Sequence, residues 1–168
     1  IGACIAGRNA EACGELRELF TYIGGIGEAS VIGSKIRLPA HSAATINATM
    51  TRALEIDDVS ERALAHTSAS IVPAALAAIQ ASKRIVQGVE LLAAIAIATD
   101  LANRLAWAAL IPRERDTQLR LLNPNLHMGI LSAAITASYI WQFDYTQTVH
   151  AIGHAYGQLF GNQQTLFD

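Results

Sequence analysis

The sequence has little charge, no excess of basic residues and only two cysteines, and each shortage excludes a class of protein. Charged residues make up 15% and hydrophobic residues 52% of the 168 positions, so the chain can bury a core and is not a disordered tail. Twelve basic and fourteen acidic residues give a net charge of −2, which offers no basic surface to nucleic-acid phosphates. Cys4 and Cys13 are too few for a secreted disulfide scaffold. We therefore expect a single globular domain from the cytoplasm.

The shortage of charge also predicts how the surface is covered. A lone domain needs a polar coat, so a charge-poor, alanine-rich chain is expected to bury part of its surface against a second subunit or a further domain. Alanine is also simply the best helix former, and the composition leaves both explanations open. The sequence begins at Ile1 without an initiator methionine and ends on an apolar segment before Asp168. We expect residues 1–168 to be a fragment of a longer protein.

The longest apolar stretch, residues 89–111, raises the question of a membrane span. Glu90, Asp100, Asn103 and Arg104 interrupt it, and a charge near the bilayer centre costs about 2.5–3.5 kcal/mol on insertion scales. Asp100 and Arg104 also lie four residues apart, where opposite charges face each other on a helix. We expect a buried or interface helix and no association with a membrane.

Hydrophobic periodicity and capping residues predict an all-α fold, a compact bundle of about six helices with one short β-hairpin. Short β-prone runs around a Gly-Ser turn place the hairpin near residues 29–38. Ser68 or Ser70 is expected to cap the third helix, with Pro73 in its first turn, and Asp144 is expected to cap the last helix. The predicted helices cover residues 2–23, 40–54, 68–82, 87–111, 126–141 and 146–160.

The densest group of polar side chains lies between the second and third predicted helices. Glu55, Asp57 and Asp58 follow one helix, and His66 precedes the next. A carboxylate beside an imidazole can fix its tautomer, which suits general acid–base catalysis. Acidic residues at a helix C-terminus are electrostatically unfavourable, so we expect a compensating group. The same pattern also fits a solvated acidic loop with an exposed histidine, and spacing alone favours that alternative.

The other histidines carry weaker signals. His127 stands at the start of the fifth predicted helix, where a site role and a plain surface position fit equally well. His150 and His154 are four residues apart, but they lack the glutamate of the H-E-x-x-H motif and a third ligand nearby in sequence. We therefore expect no metal site. The glycines at 24, 25 and 27 do not match G-x-G-x-x-G, which argues against a nucleotide-binding loop.

Several segments, in order along the chain, resemble the motifs of the MmgE/PrpD family. Its members include 2-methylcitrate dehydratase, cis-aconitate decarboxylase and iminodisuccinate epimerase. The family patterns are roughly A-A-x-x-N-G, H-A-L-D-F-D-D, H-P-S, V-x-P-A-A-L-A, G-x-E-L-L-x-A-I and G-N-x-Q. The matching segments are AATINA (43–48), RALEIDD (52–58), HTS (66–68), VPAALA (72–77), GVELLAAI (88–95) and GNQQ (161–164), and His127 falls at the family's G-F-H.

The resemblance implies an all-helical first domain, with a smaller α/β domain after residue 168. It also implies a cofactor-free homodimer that removes a proton next to a carboxylate of a small di- or tricarboxylic acid. Asp57 and Asp58 match the last two residues of the D-F-D-D motif, Glu55 replaces its first aspartate, and His66 matches the histidine of H-P-S. By this resemblance, the catalytic residues are His66, Asp57 and Asp58, and the substrate-binding residues are Glu55, His127 and Tyr139.

Two departures from the family pattern bear on the chemistry. Arg52 stands where the family has a histidine, and Ala137, Ser138 and Tyr139 occupy the place where decarboxylases have a lysine. The sequence therefore leaves dehydration, decarboxylation and epimerisation open. We expect a lyase or isomerase, and the alternative is a non-catalytic helical dimerisation domain or an inactive divergent fragment of the same family.

Overall fold

The computed structural model describes residues 1–61, 63, 65–110 and 124–159, and the side chains of all of these except 109, 110 and 124–127. The described residues form seven helices and one two-stranded sheet, so the prediction of an all-α fold with a short hairpin is confirmed. In chain order the elements are α1 (Gly2–Gly7), α2 (Cys13–Ile23), β1 (Ala29–Ser30), β2 (Arg37–Leu38), α3 (Ala40–Arg52), α4 (Ser68–Ala81), α5 (Gly88–Leu110), α6 (Pro124–Ile140) and α7 (Tyr145–Tyr156).

Helix α4 lies at the centre of the bundle. It packs against α3, α5 and α6 and also contacts β1. Most of its buried residues are alanines, and small side chains let neighbouring helices approach closely. Because α4 begins at Ser68, directly after the acidic loop, the packing of this helix fixes one side of the candidate site.

The hairpin is short and is held in place by α3. β1 pairs antiparallel with β2, and Gly33 in the turn has a positive φ of 76°, which glycine adopts without strain. Asn47 is buried on α3. Its Nδ2 donates to the Ser30 carbonyl at 3.0 Å, and its Oδ1 accepts the Ile32 N–H at 2.9 Å. The asparagine of the A-A-x-x-N-G motif is therefore a structural link between helix and hairpin.

The prediction of one continuous first helix over residues 2–23 is wrong. The chain breaks between α1 and α2, where Ala12 has a positive φ of 64°. Cys4 and Cys13 explain the break, because nine residues would place their side chains on opposite sides of one straight helix. In the broken chain both are buried in one cluster with Met50 of α3, at 1% and 0% exposure. Burial raises the pKa of both thiols.

Pro73 also lies differently from the prediction. Helix α4 begins at Ser68, so Pro73 falls in its second turn rather than its first. Because proline has no N–H, the carbonyl of Ala69 loses the helical partner it would otherwise have four residues on. Pro73 is buried all the same.

The last two helices differ from the prediction only at their ends. Helix α6 begins at Pro124, two residues before its predicted start, and α7 ends at Tyr156; residue 160, its predicted end, lies outside the described residues. The predicted cap at Asp144 is confirmed. Its carboxylate accepts the Gln147 N–H at 2.8 Å, and the Gln147 side chain accepts the Asp144 N–H at 3.0 Å, which completes a capping box.

Helix α5 is the one described helix that is long and apolar enough to cross a membrane, judged by length and composition alone. Its alanines at 94, 98, 102 and 106 are buried and share one face, which packs mainly on α6. Asp100 and Arg104 form the predicted ion pair, with Oδ2 and Nε 2.8 Å apart. Several large apolar side chains stay exposed, among them Val89, Leu92 and Trp107 at 72%, 67% and 47%. The described residues therefore leave an apolar face of α5 uncovered.

An ion pair between Arg84 and Glu90 lies where α4 connects to α5, at the end of α4 opposite the acidic loop. Arg84 donates to both carboxylate oxygens of Glu90, at 2.7 and 3.1 Å, and to the Ile140 carbonyl of α6 at 2.8 Å. The hydrogen bonds from Arg84 hold the pKa of Glu90 below its ordinary value, and those to Glu90 raise the pKa of Arg84. The pair thus ties three helices together at this end of the bundle.

Candidate functional site

The acidic loop, residues 53–67, connects α3 to α4 and folds back on itself. Helix α3 ends at Arg52, and the chain then turns at Glu55, whose φ is 53°. The Ser60 N–H donates to the Ala65 carbonyl at 2.9 Å. As a result His66 returns beside Arg52, although 14 positions separate the two residues.

Arg52 is the centre of the polar cluster in this loop. Its Nη2 donates to Glu55 Oε1 at 2.6 Å, and its Nη1 donates to Asp57 Oδ1 at 2.7 Å. The same Nη1 lies 2.9 Å from His66 Nδ1, and Asp57 Oδ2 lies 3.2 Å from that nitrogen. The group that compensates the acidic loop, as expected from its charge, is therefore Arg52, which pairs with two of the three carboxylates.

Asp57 is the most deeply buried member of the cluster. Its side chain is 2% exposed, against 20% for His66 and 32% for Arg52. Burial on its own lowers the pKa of Arg52, but the hydrogen bonds to Glu55 and Asp57 outweigh it and raise that pKa above its ordinary value. A buried carboxylate needs a nearby counter-charge, and the guanidinium supplies it. The second oxygen, Asp57 Oδ2, accepts no hydrogen bond from the described residues.

Two cavities flank the pair formed by Arg52 and Asp57. Asp57 and Asp58 line a pocket of about 190 Å³, together with parts of α1, α3 and α4. Arg52 and Glu55 line a wider opening of about 540 Å³, which Ser70 of α4 also borders. The ion pair therefore presents Asp57 to the smaller space and Arg52 to the wider one.

The structure brings some of the predicted site residues together and not others. Glu55, Asp57 and His66 meet at Arg52, and Asp58 lines the smaller pocket with Asp57. Tyr139 lies apart from them. It lines a third cavity, of about 470 Å³, with residues of α5 and α7.

His127 lies on α6, and its side chain is outside the described residues. The neighbouring backbone comes close to the wider opening, because a Cβ atom at Gly129 would lie 2.8 Å from Ser70 Oγ. Ser70 borders that opening. The place of His127 in the site stays a prediction.

Arg52 is the residue whose part in the site the sequence alone did not assign. In the sequence it stands out as a departure from the family's histidine and as a basic residue that flanks the acidic loop. The signal for its role is electrostatic, because carboxylates that follow a helix C-terminus need a positive partner. Arg52 is the basic residue nearest to them on the preceding helix.

Among the residues that the structure describes, no three histidine, cysteine, aspartate or glutamate side chains lie close enough together to hold a metal ion. His150 and His154 are exposed on α7.

The fold and the polar cluster define a class of protein: an all-α domain with a histidine–carboxylate cluster in the loop between two packed helices. The family model for the MmgE/PrpD N-terminal domain matches residues 1–168. The chain belongs to the MmgE/PrpD family. A search of curated proteins finds no match to the chain.

Proposed function

We propose that the chain is the helical part of a cofactor-independent lyase or isomerase that acts on a small di- or tricarboxylic acid. The observation that carries the proposal is the cluster in which His66 Nδ1 lies 3.2 Å from the buried Asp57 carboxylate and 2.9 Å from the Arg52 guanidinium. Membership of the MmgE/PrpD family supports the class of substrate. Dehydration and epimerisation begin with the removal of a proton next to a carboxylate, whereas decarboxylation releases CO₂ and adds a proton to the carbon that is left. All three need an acid–base residue beside the reacting carbon.

His66 is the acid–base residue in this proposal, because imidazole is the side chain best matched to proton transfer near neutral pH. Asp57 orients it through the Arg52 guanidinium, which it binds at 2.7 Å, and Asp58 lies in the same pocket as Asp57. Removal of the proton builds negative charge on the substrate carboxylate, which needs a cation or an array of donors. Glu55, His127 and Tyr139 remain the proposed substrate-binding residues, with Tyr139 acting from its separate cavity.

The proposed assembly is a homodimer in the cytoplasm. The exposed apolar side chains of α5 support it, since obligate dimers bury large apolar surfaces against each other. The same face favours the second candidate function, a non-catalytic helical dimerisation domain. Fold does not separate the two functions, so the test has to be chemical.

The test is exchange of the hydrogen next to a carboxylate for deuterium, followed by proton NMR in D₂O. The full-length protein is incubated with a panel of small di- and tricarboxylic acids, including hydroxy, unsaturated and amino-substituted ones. We expect exchange or turnover of at least one acid. His66→Ala should lower kcat on the order of 10²–10⁴-fold, the usual contribution of a positioned acid–base group.

His150→Ala is the matched control, because this histidine is exposed on α7 and belongs to a different part of the bundle. It should keep wild-type activity. A folded full-length protein that neither exchanges nor converts any acid would favour the dimerisation domain. Undiminished activity of His66→Ala would remove His66 from the mechanism.

A further inference from the structure

Two polar groups converge on a single ring nitrogen, Nδ1 of His66. Arg52 Nη1 lies 2.9 Å from it and Asp57 Oδ2 lies 3.2 Å from it. The guanidinium of arginine only donates hydrogen bonds, and an ionised carboxylate only accepts them. One nitrogen carries either a proton or a free lone pair. Nδ1 can therefore accept a hydrogen bond from Arg52 or donate one to Asp57, but it cannot do both at once.

The distances favour the bond to Arg52. At 2.9 Å the contact with Nη1 has the length of a hydrogen bond, and it is one only if Nδ1 carries the lone pair. Asp57 Oδ2 accepts no hydrogen bond from the described residues, as expected if Nδ1 has no proton to give. Arg52 is itself held from the other side, because its Nη2 donates to Glu55 at 2.6 Å.

We propose that Arg52 is a positioning residue that fixes His66 in the neutral tautomer with its proton on Nε2. In this tautomer Nε2 of His66 carries the N–H and can donate a hydrogen bond. If Arg52 moves away, Nδ1 can take up a proton from solvent and donate a hydrogen bond through it to Asp57 Oδ2, while Nε2 releases its own proton to solvent. The net charge is unchanged, and Nε2 then offers a lone pair.

The position of Arg52 thereby decides whether Nε2 of His66 is a hydrogen-bond donor or a base. This consequence rests on the proposed function, whereas the tautomer of His66 does not. Arginine suits the role because it stays protonated at any pH at which the protein is folded. The histidine that the family has at this position could not serve as a permanent donor in this way.

The test is nitrogen NMR of the full-length protein with ¹⁵N-labelled histidine, recorded at about pH 9, above the range in which an ordinary histidine titrates. Long-range correlation spectra report which ring nitrogen carries the proton. The chain has five histidines, and the signals of His66 are those missing from the His66→Gln variant. We expect Nε2 of His66 to be protonated and Nδ1 not.

Two variants test whether Arg52 or Asp57 sets the tautomer of His66. Arg52→Met removes the donor and should move the proton of His66 to Nδ1, whereas Asp57→Asn keeps the donor and should leave it on Nε2. Arg84→Met is the matched control, since it removes an equally paired arginine at the other end of α4 and should leave the His66 signals unchanged.

The wild-type spectrum tests the predicted tautomer of His66 even if Arg52→Met fails to fold. A proton on Nδ1 of His66 in the wild type would overturn the proposal. So would a folded Arg52→Met protein that keeps its proton on Nε2. Loss of the proposed function, by contrast, would appear only in the deuterium-exchange assay, so the two failures are distinguishable.

Discussion

Replacement of Asn47 by alanine should destabilise the fold more than its position in the middle of a helix suggests. The side chain is 2% exposed and makes two hydrogen bonds across elements, to the Ser30 carbonyl at 3.0 Å and from the Ile32 N–H at 2.9 Å. Alanine leaves both backbone groups without these partners. Each buried group left unpaired costs about 1–3 kcal/mol.

Ser30 and Ile32 are partly exposed, so water can replace some of what is lost. We therefore expect Asn47→Ala to lower the free energy of unfolding by about 2–4 kcal/mol rather than by the full sum. Urea unfolding followed by circular dichroism measures the change. The hairpin should loosen as well, which would appear as faster amide hydrogen exchange at Ser30 and Ile32.

Thr45→Ala is the matched control, because Thr45 lies two residues away on the same helix and is exposed. Within the part of the chain that the structure describes, its hydroxyl donates only to the His41 carbonyl in its own helix, at 2.8 Å. The control should change stability by no more than about 0.5 kcal/mol. Equal losses from Asn47→Ala and Thr45→Ala would refute the reasoning, since they would mean that the bonds to the hairpin contribute nothing beyond helix propensity.

Two further changes are predicted from packing and charge. Gly7→Ala should lower the free energy of unfolding by about 1–3 kcal/mol, because its Cβ would collide with the backbone carbonyl of Met50. Gly14→Ala should be neutral or stabilising, because no described atom lies within 4 Å of its Cβ. Equal melting temperatures of the two variants would contradict this prediction. Glu90→Gln should lower stability at neutral pH. Hydrogen bonds from Arg84 lower the pKa of Glu90 from its ordinary 4.5, so native Glu90 binds fewer protons than unfolded Glu90. Its contribution is present above the unfolded-state pKa and is lost as the pH falls through the folded-state pKa. The difference between wild type and variant should therefore shrink on acidification in urea titrations at stepped pH, and a difference that stays constant would count against the ion pair.

Much of the fold could be predicted because its signals are local. The hairpin follows from β-prone runs on both sides of Gly33, and the start of α7 follows from Asp144 with Gln147 three residues later. The break between α1 and α2 has no such signal. It depends on the burial of Cys4 and Cys13 in one cluster, which is a property of the packed molecule and not of the neighbouring residues.

The candidate site, too, could be predicted only in its local part. The sequence places Glu55, Asp57 and His66 in one loop, but it does not say which groups touch. The backbone turn at Glu55 and the pairing of Ser60 with Ala65 bring His66 back to the end of α3. Contacts of this kind join residues on both sides of a loop, and hydrophobic periodicity carries no information about them.

Arg52, which departs from the family pattern, supplies counter-charge to the acidic loop. Its guanidinium contacts two of the three carboxylates there. Because Arg52 binds Asp57 directly, at 2.7 Å, the buried carboxylate has its counter-charge within the same chain and needs none from a second domain or subunit to be stable. Arg52 is also engaged by Glu55 on its exposed side, which leaves little of its charge for a substrate carboxylate. If the protein is an enzyme, the cation that binds the substrate must then be another residue, and Arg52 acts on the chemistry through His66.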